Sequence, residues 1–282
     1  MLRNVGHVQD QLGLEGIPSK LVRVTPAKLA TWASCPRKFR MAYLDRPAPP
    51  RAGAKAASTL GAAVHNALRI FFDLPAQQRS PERAAARVRK CWKNDGFADA
   101  AQAADYRERA QHWVSGYAER TDAAPVAVER WVSAATGTII AEGRVDRIDR
   151  RDGELVIVDY KTGRRQLTEA DARDSPALAL YATAARKTLR APTGRVELHH
   201  LPTGSVAAWL HSEESLGRHV EWAQQRAGEL DAASGAFEAG HRGADTFPPR
   251  PGRQCSWCDF RAHCPEGQQA ASAATPWAGL AE

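Results

Sequence analysis

Apolar residues recur at helical spacing over residues 57–73, 81–95 and 102–121, so three helices are expected in the first half of the chain. Before them, Thr25-Pro26 opens a helix with Thr as N-cap and Pro at the first helical position. That helix breaks at Cys35-Pro36 and resumes through residues 37–44, and the proline-rich residues 46–53 read as a linker. The pattern then changes. Residues 126–134, 137–149 and 154–161 are rich in Val and Ile and read as a β-meander. A helix follows over 175–189, strands over 194–201 and 205–210, and a helix over 213–235. Residues 1–20 read as a loosely ordered leader, and the Ala/Ser/Gln-rich stretch 267–282 as a disordered tail. Between them lies one α/β domain over 21–266. It divides into a helical part (21–122), a mixed core (123–211) and a cysteine-bearing end (212–266).

The meander carries the candidate chemistry. Asp152-Gly153 is a strong two-residue hairpin signal. If it forms the turn, Arg151 pairs with Glu154, and counting back sets Asp146 directly opposite Asp159. Carboxylates so placed are about 5 Å apart at Cβ and repel. Lys161 projects from the same face as Asp159 because side chains alternate along a strand. One reading is a surface salt bridge on an ordinary hairpin. The continuous apolar run Leu155–Val158 instead indicates a buried strand, where unpaired carboxylates are costly. A hard divalent cation such as Mg²⁺ or Mn²⁺ would relieve the pair better than one ammonium.

Composition narrows the setting. The 282 residues carry a formal net charge of +7, which suits a polyanionic partner. Only 8 of the 39 basic residues are Lys, and Arg makes bidentate phosphate contacts. No apolar run is long enough to span a bilayer, and the N-terminal stretch lacks the apolar core of a signal peptide, so a cytoplasmic protein is expected.

Cys255-x-x-Cys258 followed by Cys264 forms a three-ligand group that needs a fourth. Cys35, at the helix break before Pro36, is the better candidate; Cys91 lies within a regular helical pattern beside Trp92. Disulfides are not expected in a cytoplasmic protein. Zinc and a [4Fe–4S] cluster both accept four thiolates. The single partner 220 positions upstream of Cys255 departs from the paired knuckles of zinc ribbons and favours [4Fe–4S], with Zn²⁺ as the alternative. Trp257 and Phe260 interleave the ligands and would shield them from solvent.

Taken together, Gly143-x-x-Asp146-Arg147-Ile148-Asp149, the hairpin, and Val158-Asp159-Tyr160-Lys161-Thr162-Gly163 resemble the core of the PD-(D/E)XK nuclease superfamily. The form is that of RecB-like exonucleases, close to the iron–sulfur nucleases of CRISPR adaptation. The resemblance spans Pro26 to Pro265 and implies an αβββαβ core, with the upstream helices as an insertion or lid. It implies that His65, Asp146, Asp159 and the Tyr160 carbonyl hold Mg²⁺ or Mn²⁺, and that Lys161 acts on the attacking water. It also places Tyr181 in the site and assigns Cys35, Cys255, Cys258 and Cys264 to an iron–sulfur clasp. Ala177 stands where the family usually has glutamine, and Gln166 or Arg173 is a possible substitute. The expected activity is a DNA exonuclease acting on single-stranded ends in DNA repair or recombination, alone or beside a helicase. Arg37, Lys38, Arg144 and Arg147 are the expected phosphate contacts. The rival reading is a nucleic-acid-binding module with weakened or lost activity.

Overall fold

The computed structural model describes residues 21–280, so the expected leader lies outside the described residues. The chain opens with β1 (Val22–Val24), then α1 (Pro26–Ser34) and α2 (Pro36–Tyr43), which meet at Cys35. The Thr25 hydroxyl accepts from the Lys28 amide and caps α1. Next come α3 (Ala56–Phe72), α4 (Pro81–Cys91) and α5 (Ala100–Arg120). Strands β2 (Ala127–Thr136), β3 (Ile139–Arg151) and β4 (Glu154–Lys161) form the meander. Short α6 (Glu169–Arg173) and α7 (Pro176–Leu189) lead to β5 (Thr193–His200) and β6 (Ser205–Leu210). The chain ends with α8 (Glu213–Glu238) and α9 (Pro265–Ala270). Among the described residues no helix is long and apolar enough to cross a membrane.

The sheet runs β1-β3-β4-β5-β6, with β2 also paired to β3. Asp152 and Gly153 both have positive φ (51° and 84°), as the expected two-residue turn requires, and Arg151 pairs with Glu154. β4 and β5 are parallel and joined by α7, so α3–β2–β3–β4–α7–β5 gives the αβββαβ order. Alternate residues of β4 feed two cores. Val156, Val158 and Tyr160 pack beneath α3, α4 and α5, whereas Leu155 and Ile157 face α7. The α7 face is alanine-rich (Ala179, Ala182, Ala185), which lets the helix lie close on the sheet.

Three features differ from expectation. β1, only three residues long, is too short to leave a pattern, yet it pairs in parallel with Ile139–Ala141. The 81–95 helix stops at Cys91, which therefore ends a helix rather than lying inside one. The stretch expected as a disordered tail is described through residue 280, mostly exposed but held at two points. Leu280 is buried in the core under α3, and the Pro276 carbonyl accepts from the Ala56 amide at 3.1 Å. Its composition misled because a few apolar anchors suffice to dock a segment on an existing surface.

Candidate active site

One edge of β3 is shared. β1 takes Ile139–Ala141 and β4 takes Arg147–Arg151, leaving residues 142–146 of that edge outside either ladder. Asp146 lies at the end of this gap, one rung beyond the Arg147–Val158 pair, and so faces Asp159 across the point where β4 leaves β3. The Asp146 carboxylate replaces the lost ladder bond by accepting from the Tyr160 amide at 2.9 Å. Gly143 lines the same gap. A Cβ there would sit 2.6 Å from Tyr181 Cε1, so glycine is what lets the Tyr181 ring from α7 reach the gap.

From the other side, α3 delivers His65. Its Nδ1 is 3.3 Å from Asp146 Oδ1, and its Nε2 is 3.1 Å from the Tyr160 carbonyl oxygen. Small residues on α3 permit the approach: the Gly61 Cβ position is 3.4 Å from Thr162 Oγ1, just past the end of β4. Burial opposes protonation of His65, but the hydrogen bond and charge of Asp146, with the charge of Asp159, outweigh it and raise its pKa. Lys161 Nζ lies 2.5 Å from Asp159 Oδ2. Burial pushes the Asp159 carboxyl up despite the nearby lysine, and the like charge of Asp146 adds to the rise. Burial and the two aspartates push the Tyr181 hydroxyl to about 12, so it keeps its proton at neutral pH.

A residue that the sequence reading missed completes the group. Glu129 of β2 falls on the rung opposite Asp146, since Val128 pairs with Arg147 and Arg130 with Val145. Both strands break their alternation there. Val128 packs on the α3 side but Val132 on the α7 side, and Arg147 and Val145 differ in the same way. Glu129 takes φ of 48°, uncommon for a non-glycine residue. Ligand atoms of His65, Glu129 and Asp146 all lie within 4.8 Å of one another. Burial and Asp146 raise the Glu129 pKa, while Arg144 Nε faces its Oε2 at 2.7 Å. The missed signal was Val-Glu-Arg in a strand whose rung partner could be counted only once β2 and β3 were registered.

The close donor set, the Glu129 and Asp146 carboxylates and the His65 imidazole beside the Tyr160 carbonyl, fits a hard divalent cation, with Asp159 turned toward Lys161 outside that group. Glu129 Oε2 and Asp159 Oδ2 are buried and receive no well-directed hydrogen bond, each facing only a neighbouring cation. The glutamine substitutes do not enter the group. Arg173 is bound to Asp174 and lies over the Trp209 ring, and Gln166 is exposed.

The four basic residues expected to hold phosphate fare differently. Arg144 is largely exposed beside the carboxylates. Arg147 corrects the expectation, because its side chain is 1% exposed and cannot reach a strand. It donates to Tyr117, Tyr160 and Asp149, while Arg151 and Arg195 hold Glu197, which accepts from His199. The broken alternation turns Arg147 inward under the Tyr160 ring. Breaking a buried ion pair by removing one partner costs about 3–5 kcal/mol. Arg147→Met should therefore lower the unfolding free energy by about that amount in urea titrations. A loss under about 1 kcal/mol would show that the network is dispensable.

Arg37 is also engaged, at 2.5 Å from Glu266 and 15% exposed, and with Lys38 it lines the cysteine cavity rather than the carboxylate gap. That cavity is bordered by Cys35, Cys255, Cys258 and Cys264; Cys91 is not among its lining residues. The Cβ position of Gly267 is 3.4 Å from Cys264 Sγ and 3.6 Å from Cys255 Sγ, so glycine keeps space beside the thiols open. Four cysteines border one cavity that glycine keeps open, which is the donor chemistry of a [4Fe–4S] cluster or Zn²⁺, although no three of the thiols lie within 4.8 Å of one another. Phe260 is buried beside them, whereas Trp257 is 38% exposed and shields less than expected.

Comparison with known proteins agrees with the geometry. The profile of the PD-(D/E)XK nuclease superfamily matches residues 23–265. Among solved structures, a candidate exonuclease from Eubacterium rectale is similar with a TM-score of 0.47 and 8% identity, covering 75% of this chain and 81% of its own. A second structure, of the protein SSO0001, has a TM-score of 0.28 and 16% identity, covering 73% of this chain and 84% of its own. No curated protein matches the sequence. The match over residues 23–265, on an αβββαβ fold with acidic residues and a lysine where two strands part, means that the protein belongs to the PD-(D/E)XK nuclease superfamily.

Proposed function

We propose that this nuclease is a metal-dependent DNA exonuclease that works on single-stranded ends in repair or recombination. The observation that carries the reading is the meeting of Asp146, Asp159, His65 and Lys161 at the gap between β3 and β4. His65, Asp146, Asp159 and the Tyr160 carbonyl would hold Mg²⁺ or Mn²⁺. Such an ion polarises a phosphoryl oxygen and lowers the pKa of bound water.

The protein's own groups do the rest. Lys161, held by Asp159, orients the attacking water and stabilises charge developing on the phosphorane-like oxygens. Asp146 fixes the Tyr160 peptide, whose carbonyl points at His65. Tyr181, protonated at neutral pH, offers an O–H donor from α7 toward the same gap. Ala177 in place of glutamine favours a second reading, a binding module of weakened activity, because Gln166 is exposed and Arg173 is engaged by Asp174. Helix α3, which delivers His65, borders the site and would flank a threaded strand.

The test is cleavage of end-labelled linear and closed circular single strands with Mn²⁺, Mg²⁺ or EDTA. Linear DNA should be degraded from an end, circles should persist, and EDTA should stop the degradation. Equal rates on circles and linear strands would mean an endonuclease; tight binding with no cleavage would favour the binding module.

A further inference from the structure

Glu129 faces two ways. It shares a rung with Asp146 and lies within ligand distance of Asp146 and His65, yet its Oε2 is 2.7 Å from the Arg144 guanidinium. The two partners differ in setting. The Glu129 side chain is 15% exposed, but that of Arg144 is 67% exposed, so the pair joins an inner carboxylate to an outward cation. Trp131, the cross-strand neighbour of Arg144, is 53% exposed, which leaves this face of the β2 edge open to a strand.

We infer that Glu129 is an exchangeable ligand. It holds Arg144 when no cation is bound, and a divalent cation draws it inward and releases Arg144 to a substrate phosphate. The inference rests on the nuclease reading above. An ion pair whose cation lies largely in solvent is weak, whereas a divalent ion among several oxygens binds a carboxylate firmly, so the exchange runs toward the metal. Charge is conserved in the step: the carboxylate changes partner, and the freed guanidinium finds another anion in the DNA. Cation and strand then bind cooperatively, and by linkage each strengthens the other by the same factor. Simple neutralisation of the carboxylates by a cation would also strengthen DNA binding, so the test must isolate Arg144.

The measurement is a double-mutant cycle in a Lys161→Ala background, which keeps the DNA intact. Binding of a fluorescein-labelled single-stranded oligonucleotide is followed by anisotropy in EDTA and in Mn²⁺, and Mn²⁺ binding by calorimetry. Glu129→Gln should weaken Mn²⁺ binding about tenfold or more. In EDTA it should bind DNA about fivefold tighter than its parent, and that gain should vanish when Arg144→Gln is also present. Arg144→Gln alone should keep or improve Mn²⁺ affinity while losing most of the Mn²⁺-dependent gain in DNA binding. If Glu129→Gln fails to fold, Glu129→Asn, which tolerates positive φ, takes its place. The exchange is overturned if the EDTA gain is the same with and without Arg144, or if Mn²⁺ affinity is unchanged by Glu129→Gln. A flat cycle with a wild-type protein that binds Mn²⁺ and cuts DNA defeats the exchange alone. A wild-type protein that neither binds Mn²⁺ nor cuts defeats the nuclease reading and the exchange with it.

Discussion

Asp159→Asn is expected to slow cleavage by about 10²–10³-fold or more while melting at or above the wild-type temperature in EDTA. The two effects have one origin. Asp159 is a buried carboxylate whose ionised form is penalised by burial and by Asp146 across the gap. A neutral side chain of the same shape removes that penalty and the ligand together, as expected where function is held at the expense of stability. Lys161→Ala should cost similar rate but melt lower in EDTA, because it removes the cation that faces Asp159 at 2.5 Å. Added Mn²⁺ should restore part of that loss, since a ligand that binds only the folded state raises its stability. Cleavage of labelled DNA and thermal melts with and without Mn²⁺ read both effects. A Lys161→Ala enzyme at wild-type rate would remove lysine from the mechanism, and an Asp159→Asn protein that melts well below wild type would show that the carboxylate is structural.

The second large effect concerns Cys35. It joins the first two helices, while Cys255, Cys258 and Cys264 lie near the other end of the described chain, and all four border one cavity. If these thiols share a metal centre, it closes a loop of more than two hundred residues, which in the chain-entropy treatment of cross-links is worth on the order of 5 kcal/mol. Protein purified without oxygen should be brown, with about four irons per chain. Cys35→Ala should lose the colour and much of the thermal stability, because thiolate ligation ties folding to the metal. Cys91→Ala should keep both. Stoichiometric zinc after anaerobic expression with ample iron would replace the cluster by Zn²⁺ and leave the clasp standing. A colourless Cys91→Ala protein beside a brown Cys35→Ala one would move the fourth ligand.

The order of elements was legible because each carries its own local signal. The Asp152-Gly153 turn fixed the register of β3 on β4, and with it the rung of Asp146 and Asp159. What escaped depends on how two segments distant in sequence come together. Arg147 was expected on an outward face, among the phosphate contacts. The irregular rung at Glu129 and Asp146 reverses that face, and it arises only when β2 lies beside β3. Glu129 was hidden for the same reason. Arg37 looked like a free basic residue until α9 brought Glu266 to it, 229 positions away. Of the replacements expected for a glutamine at Ala177, Gln166 is exposed on a loop, and Arg173 is bound to Asp174 and lies over the Trp209 ring.

The first turn of α3 is fastened from the far end of the chain. The Ala56 amide, which has no partner within its own helix, donates to Pro276, and Lys55 Nζ contacts the Trp257 carbonyl at 2.5 Å and also binds Asp259. Trp257 and Asp259 flank Cys258, so the ligand-bearing segment and the start of α3 are one mechanical unit. His65 sits on that helix, less than three turns further along. Loss of metal from the thiols would thus loosen the anchor of the imidazole without touching a single group at the carboxylates. Oxidative damage to the clasp would then be read out as slower hydrolysis, making the enzyme's rate a gauge of the redox state around it.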